Sequence, residues 1–343
     1  MRYALAVVAA LTLASPIGAQ STSRRCDRAC LDGVLTRYLA AVVAHDPSRA
    51  PLAEGYRQTE NAMVVAAGKG IWRSVTALGK VQHHYLDPVT GGAGFYGTLV
   101  EGERGSIATV RLLIEDRQVT EAEWVIGRFD TGTPQADGPG ATSVEGAEMT
   151  QPRSDRLPLA RRTSRRAMIA AANGYFDSVQ SGDTTLLKAA PMWVRLENGI
   201  GTGEGAGGAR RGGGLYPGRA AAQAQGAVQG GATAAGAASN GEVCGGICNV
   251  AARRYPIVDE EAGVVLGMVV FQRPPGNTTR RNLLTEWFVF DSGKITGIYA
   301  AMHYMKPTFA APNWAPYDGN FPLSFNVGIS PNSNPPAPPR PAN

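Results

Sequence analysis

The stretch from Leu31 to Met63 recurs without a gap as Met168 to Ile200, and this internal duplication constrains the fold more than any other feature of the chain. It pairs Tyr38 with Tyr175, Val42 with Val179, Asp46 with Asp183, Ala53 with Ala190, Glu60 with Glu197 and Asn61 with Asn198. Both copies read as an amphipathic helix, an Asp-led turn and a short aromatic-containing strand. These strands are Tyr56-Arg57-Gln58-Thr59-Glu60-Asn61 and Trp193-Val194-Arg195-Leu196-Glu197-Asn198. A second block lays His83–Val100 over Arg253–Val270, matching Tyr85 with Tyr255 and Gly97 with Gly267. A third lays Leu112–Asp116 over Trp287–Asp291, then Val119-Thr120 over Ile295-Thr296. The order is the same in both halves, so the chain carries two copies of one domain, and 343 residues suffice for both cores.

The 43 Gly and 23 Pro exceed average usage and concentrate in three stretches. The first residues, Met1-Arg2-Tyr3, the apolar run Ala4 to Ala14 and Pro16-Ile17-Gly18-Ala19-Gln20, have the pattern of a secretory signal peptide. No later run reaches the ~20 apolar residues of a membrane helix. The expected product is therefore periplasmic or secreted, with no membrane span. A net charge of +5 is modest, and its clusters, such as Arg161-Arg162 and Arg165-Arg166, suit a solvated linker better than a nucleic-acid surface. The pairs Cys26/Cys30 and Cys244/Cys248 point to two disulfides, with three pairings open; a four-thiolate zinc site is the rival.

In the first copy, Leu31, Val34, Leu35, Tyr38, Leu39 and Val42 form a helical stripe that Asp46-Pro47 should end. Ser48–Gly55 should form a turn or a short second helix, Tyr56–Val65 a strand, and Trp72–Leu78 a short helix closed by Gly79. Strands follow at Val81–Leu86, Gly94–Glu101, Ser106–Glu115 and Gln118–Ile126. Helices first and then a meander predict an α+β unit. The expected division is a signal peptide 1–20, a first domain 26–129, a linker 130–164, a second domain 165–305 carrying a Gly/Ala-rich insertion 201–242, and a Pro-rich arm 306–343.

Helix, turn, acidic strand, short helix and bent meander together resemble the cone-shaped NTF2-like, or SnoaL-like, superfamily. The duplicated form, with the tail Asn313-Trp314-Ala315-Pro316-Tyr317-Asp318-Gly319-Asn320, is similar to an uncharacterised secreted family of fungi and bacteria. The resemblance implies two tandem cones, each of helices packed on a strongly bent antiparallel or mixed sheet, with a pocket inside. It also implies activities such as isomerases, dehydratases, polyketide cyclases and lyases acting on lignin-derived aromatics, alongside members that only bind.

An enclosed apolar cavity suits cofactor-free acid/base work, because burial raises a carboxylate's pKa and a hydroxyl or imidazole can stabilise developing negative charge. The catalytic candidates are Glu60, His83, His84 and Tyr85. Strand alternation sends His83 and Tyr85 to one face and His84 to the other, so only one of those faces can line a pocket. Candidate substrate contacts are Tyr56, Asn61, Trp72, Arg254, Tyr255 and His303, and Arg253-Arg254 replace the two histidines in the aligned second copy. The repeated Glu-Asn suits either two active sites or a shared device that satisfies backbone at a strand end. His45 should sit at a helix C-terminus favoured by the macrodipole. No His-Glu-x-x-His, calcium-loop, phosphate-loop or Gly-x-Ser-x-Gly pattern occurs, so neither metal nor cofactor is expected. The expectation is a cofactor-independent lyase, dehydratase or isomerase acting on a small apolar or aromatic compound, with a homodimer left open. The alternative is a non-catalytic periplasmic binding protein with a pseudo-dimeric fold.

Overall fold

The computed structural model describes residues 26–128, 142–181, 183–202, 247, 249–272 and 281–305. The signal peptide, Cys244 and Cys248, the insertion from 203 onwards and the Pro-rich arm lie outside the described residues. Two units of the same topology follow one another. The first contains α1 (Arg28–Val43), β1 (Leu52–Glu60), β2 (Met63–Val64), α2 (Ile71–Ser74), β3 (Ala77–Asp87), β4 (Gly92–Glu101), β5 (Arg104–Glu115) and β6 (Gln118–Arg128). A connecting helix α3 (Val144–Met149) leads to α4 (Arg165–Ser181), β7 (Ala189–Glu197), β8 (Ile200–Gly201), β9 (Asn249–Asp259), β10 (Val264–Gln272), β11 (Arg281–Asp291) and β12 (Lys294–Met305). The sheet orders β2-β1-β6-β5-β4-β3 and β8-β7-β12-β11-β10-β9 are the same pattern. In each sheet one parallel pair, β1 with β6 or β7 with β12, closes an otherwise antiparallel meander. Each unit is thus α+β, a helix laid across a bulged mixed sheet.

The duplication extends to local devices. Asp46 and Asp183 cap matching 3-10 turns by accepting from Ser48 N–H and Thr185 N–H. Asn61 and Asn198 adopt positive φ after β1 and β7 and clasp the neighbouring strand. The Asn61 Oδ1 accepts from Ile126 N–H at 2.8 Å and its Nδ2 donates to Ile126 O at 3.3 Å; Asn198 does the same with Met302 at 2.8 and 2.9 Å. Asn61 therefore serves the backbone. Asn61→Ala and Asn198→Ala should each cost about 1–3 kcal/mol, because buried backbone groups lose their partners. Urea unfolding measures this, and an unchanged midpoint at either position would show the clasp to be dispensable.

One face of each sheet packs on its own helix. In the first unit, α1 covers Phe95, Leu99, Ala108, Val110, Leu112 and Trp124; in the second, α4 covers Val258, Val265, Val269, Leu284 and Phe288. The opposite faces pack on each other, joining Val81, Tyr85, Tyr96, Ile107 and Val125 to Ile257, Leu266, Met268, Trp287 and Tyr299. Gly94 lets the two sheets approach, since a Cβ there would overlap the Trp287 ring. Strands buried on both faces carry continuous apolar runs, and all nine residues of β10 are buried.

The seam is closed by a reciprocal pair of ion bridges. Arg28, at the start of α1, donates to both oxygens of Asp259 at 2.7 and 2.6 Å. Arg165, at the start of α4, donates to both oxygens of Asp87 at 2.9 and 2.7 Å. Each aspartate also accepts a backbone N–H from the other unit: Asp259 from Leu86 and Asp87 from Val258. The same residues meet in both directions, as at a two-fold interface between subunits.

Three expectations shift. Asp87 and Asp259 both end the strand before the turn, so the second block aligns two residues further along than the sequence match, and Arg253-Arg254 do not replace the histidines. The third block moves by one: β5 and β11 end at Glu115 and Asp291, and both continue into tight turns with two positive-φ residues, Asp116-Arg117 and Ser292-Gly293. The helix expected at Trp72–Leu78 stops at Ser74, because the chain from Thr76 pairs with Val100, and Gly79 lies within β3. The connecting segment is also more than a tether from 142 onwards: Leu157 is buried and its N–H donates to Glu261 O.

Candidate functional site

The interior of the first unit holds a polar chain among aromatic rings. Alternation along β1 aims Tyr56, Gln58 and Glu60 to one side. Trp124 on β6 donates its Nε1–H to the Tyr38 hydroxyl at 3.1 Å, and the Tyr38 and Tyr56 hydroxyls lie 2.9 Å apart. Tyr56 donates to Gln58 Oε1 at 2.8 Å, and Trp72 Nε1–H donates to the same oxygen at 2.6 Å. The two indole N–H groups can only donate, so the Tyr38 hydroxyl accepts from Trp124 and the Gln58 oxygen accepts from Trp72. Both tyrosine hydroxyls also reach that oxygen, Tyr56 at 2.8 Å and Tyr38 at 3.3 Å. Reversing the Gln58 amide would set a nitrogen against Trp72 N–H, so its orientation is fixed.

The Tyr56 and Trp72 donors converge on the Gln58 oxygen, and among the described residues its Nε2 has no partner although the residue is 2% exposed. Hydrogen bonds to an amide oxygen polarise the group, so this NH2 is a strengthened, unmatched donor. Burial raises the pKa values of both Tyr38 and Tyr56, so both hydroxyls stay protonated. Tyr56 is the half-buried member of the group.

The sequence candidates separate over three places. Tyr56 and Trp72 belong to this chain. Glu60 lies at its edge, where Oε2 accepts from Ile71 N–H at 2.7 Å and Oε1 pairs with Arg128 at 2.8 Å, so its charge is matched. His84 points to the α1 face, and its Nδ1 lies 2.6 Å from Asp32. His83 and Tyr85 point away from that interior into the seam, with rings stacked at 6.3 Å. There His83 Nε2 meets Gln151 at 3.1 Å and the Tyr85 hydroxyl donates to Arg153 O at 3.0 Å. Burial lowers the His83 pKa.

Arg254 also spans the seam, donating to both oxygens of Glu123 at 3.0 and 2.6 Å. Tyr255 faces α4 and donates to Asn173 Oδ1, while Arg253 pairs with Asp177. His303 is half-buried on β12, where burial, and then the Arg128 charge, depress its pKa to about 4. His45 takes a left-handed conformation just past α1 and its Nδ1 lies 2.6 Å from Trp72 O. Gln58, Tyr38 and Trp124 were not among the sequence candidates. The signal for Gln58 was its place two residues from both Tyr56 and Glu60 on an alternating strand.

Cys26 and Cys30 form a disulfide at the start of α1. Among the described residues no group of three or more His, Cys, Asp or Glu side chains could hold a metal ion, and no helix is long and apolar enough to cross a membrane.

Fold and seam together define a tandem α+β protein of two cone-like units packed as a pseudo-dimer. Residues 161–302, the second unit, match the family described as a domain of unknown function (DUF8021). A comparison with curated proteins gives no match. Among solved structures the chain is similar to a protein of unknown function with a cystatin-like fold from Methylobium petroleophilum PM1. The identity is 15% and the TM-score 0.27, over 39% of this chain and 99% of that one.

Proposed function

We propose that the protein is an exported, non-catalytic ligand-binding protein of the NTF2-like kind, with a pseudo-dimeric fold. Its first unit takes up a small, largely apolar aromatic molecule carrying a neutral hydrogen-bond-accepting oxygen. The observation that carries this reading is the unmatched Gln58 Nε2 donor at the end of the Trp124–Tyr38–Tyr56 chain. An acceptor there completes the amide, and the surrounding rings supply stacking surface. A neutral oxygen suits the place because the nearby Arg128 is already matched by Glu60 and Glu101. Binding is favoured over turnover because Glu60 is held by a cation and a backbone N–H, while His83 and Tyr85 are committed to the seam.

The test is calorimetric titration with acetophenone, with intrinsic Trp fluorescence as a second readout. Gln58→Leu should weaken binding by about 1–3 kcal/mol, roughly 5- to 150-fold in Kd. Absence of binding by the native protein to acetophenone and its ring-substituted relatives would refute the reading.

A second reading, acid/base turnover as a lyase, dehydratase or isomerase, is favoured only by the His84–Asp32 pair. The aspartate orients an imidazole that remains a quarter exposed. Turnover of an aromatic substrate that His84→Gln abolishes, with Kd unchanged, would establish it.

A further inference from the structure

The interior of the second unit repeats that of the first with the charges changed. Tyr175 stands in the place of Tyr38, Trp193 of Tyr56 and Glu197 of Glu60, but Gln58 is replaced by Arg195. Registers along β5/β6 and β11/β12 align Arg128 with Tyr304 and Val110 with Glu286. The second unit has thus lost the cation that matches Glu60 in the first, and has gained a carboxylate. Arg195 serves both glutamates: its Nη1 pairs with Glu197 and donates to Thr202 Oγ1 at 3.0 Å, and its Nη2 donates to Glu286 Oε1 at 2.8 Å. The Tyr175 hydroxyl reaches the same Oε1 at 3.4 Å.

Among the described residues Glu286 Oε2 has no partner, and the residue is 0% exposed. The described charged groups facing this interior are Asp177 on α4, Arg195 and Glu197 on β7, Arg253 on β9 and Glu286 on β11. Arg253 and Asp177 match each other at 2.6 Å. One guanidinium therefore remains for two carboxylates, and an unbalanced buried charge costs several kcal/mol. Tyr175, Phe176 and Phe288 surround it, with ring centroids 5.3–5.4 Å apart.

We propose that the second unit is a separate site for a small organic ammonium, which donates to Glu286 Oε2. The ammonium supplies the missing positive charge. Burial raises the Glu286 pKa, opposed by Arg195, in line with a carboxylate short of positive charge.

The experiment is calorimetry on the mature full chain with benzylammonium, using benzyl alcohol as the uncharged counterpart. The expected result is at least a tenfold preference for benzylammonium, which tests the site on the native protein without any variant. Glu286→Gln should abolish the preference, its folding being checked by circular dichroism. No benzylammonium heat, equal binding of the alcohol, or a preference that survives Glu286→Gln would overturn the proposal. The acetophenone site of the first unit is independent of every one of these outcomes.

Discussion

Asp259→Ala is expected to lower the unfolding free energy by about 3–5 kcal/mol, the range for removing one partner of a buried ion pair. Asp259 carries four bonds, two from Arg28 and one each from Leu86 N–H and Ala262 N–H, and no part of it is exposed. Its loss leaves Arg28 with only the longer contact to Glu261, at 3.7 Å, and two amides without acceptors. Asp87→Ala, at the other end of the pseudo-two-fold seam, removes the bridge from Arg165 and the bond from Val258 N–H, and should cost a similar amount. Urea unfolding of both single variants and the double variant separates the two locks. Losses that add would mean that the locks act independently. A double variant no worse than either single would mean that one broken lock already parts the units. A change within error in the single variants would remove the seam from any account of stability.

Acidification is expected to weaken the protein through His303. In the folded chain its pKa lies near 4, against about 6.5 for a free imidazole, because burial and then the Arg128 charge disfavour the imidazolium. Between those values the unfolded chain binds the proton and the folded chain does not. Stability from this residue is therefore full above pH 6.5 and falls as pH drops toward 4, by up to ~3 kcal/mol. His83 contributes in the same direction, since burial also lowers its pKa. Both imidazoles lie on the seam side of their sheets, so acid should loosen the contact between units first. Unfolding midpoints from pH 4 to 8 for native protein and His303→Gln test this. A slope equally steep in both proteins would assign the pH dependence to other groups.

The duplication, the α+β order of elements and most strands were legible because they rest on local signals. The helical stripe of α1, the Asp-led turns and the Asn at each strand end depend on neighbours within a few residues. The first block therefore aligned in true register, carrying Arg28 onto Arg165. The second and third blocks slipped by two residues and one. β4 and β10 are buried on both faces, and a strand buried on both faces has no alternation to mark register.

The sequence by itself therefore determined two copies of one unit, the elements within each copy, and the residue types available for binding. Tertiary structure decided which way each of those residues faces. Alternation placed His83 and His84 on opposite sides, yet only the packing of the second sheet against Tyr85 made the His83 side the seam and the His84 side the interior. Likewise, Gln58 is one polar residue among several until the Trp72 indole and the Tyr56 hydroxyl commit its oxygen and leave its nitrogen unmatched among the described residues. Sidedness and hydrogen-bond saturation depend on contacts between residues far apart in the chain, and a periodicity of two does not encode them.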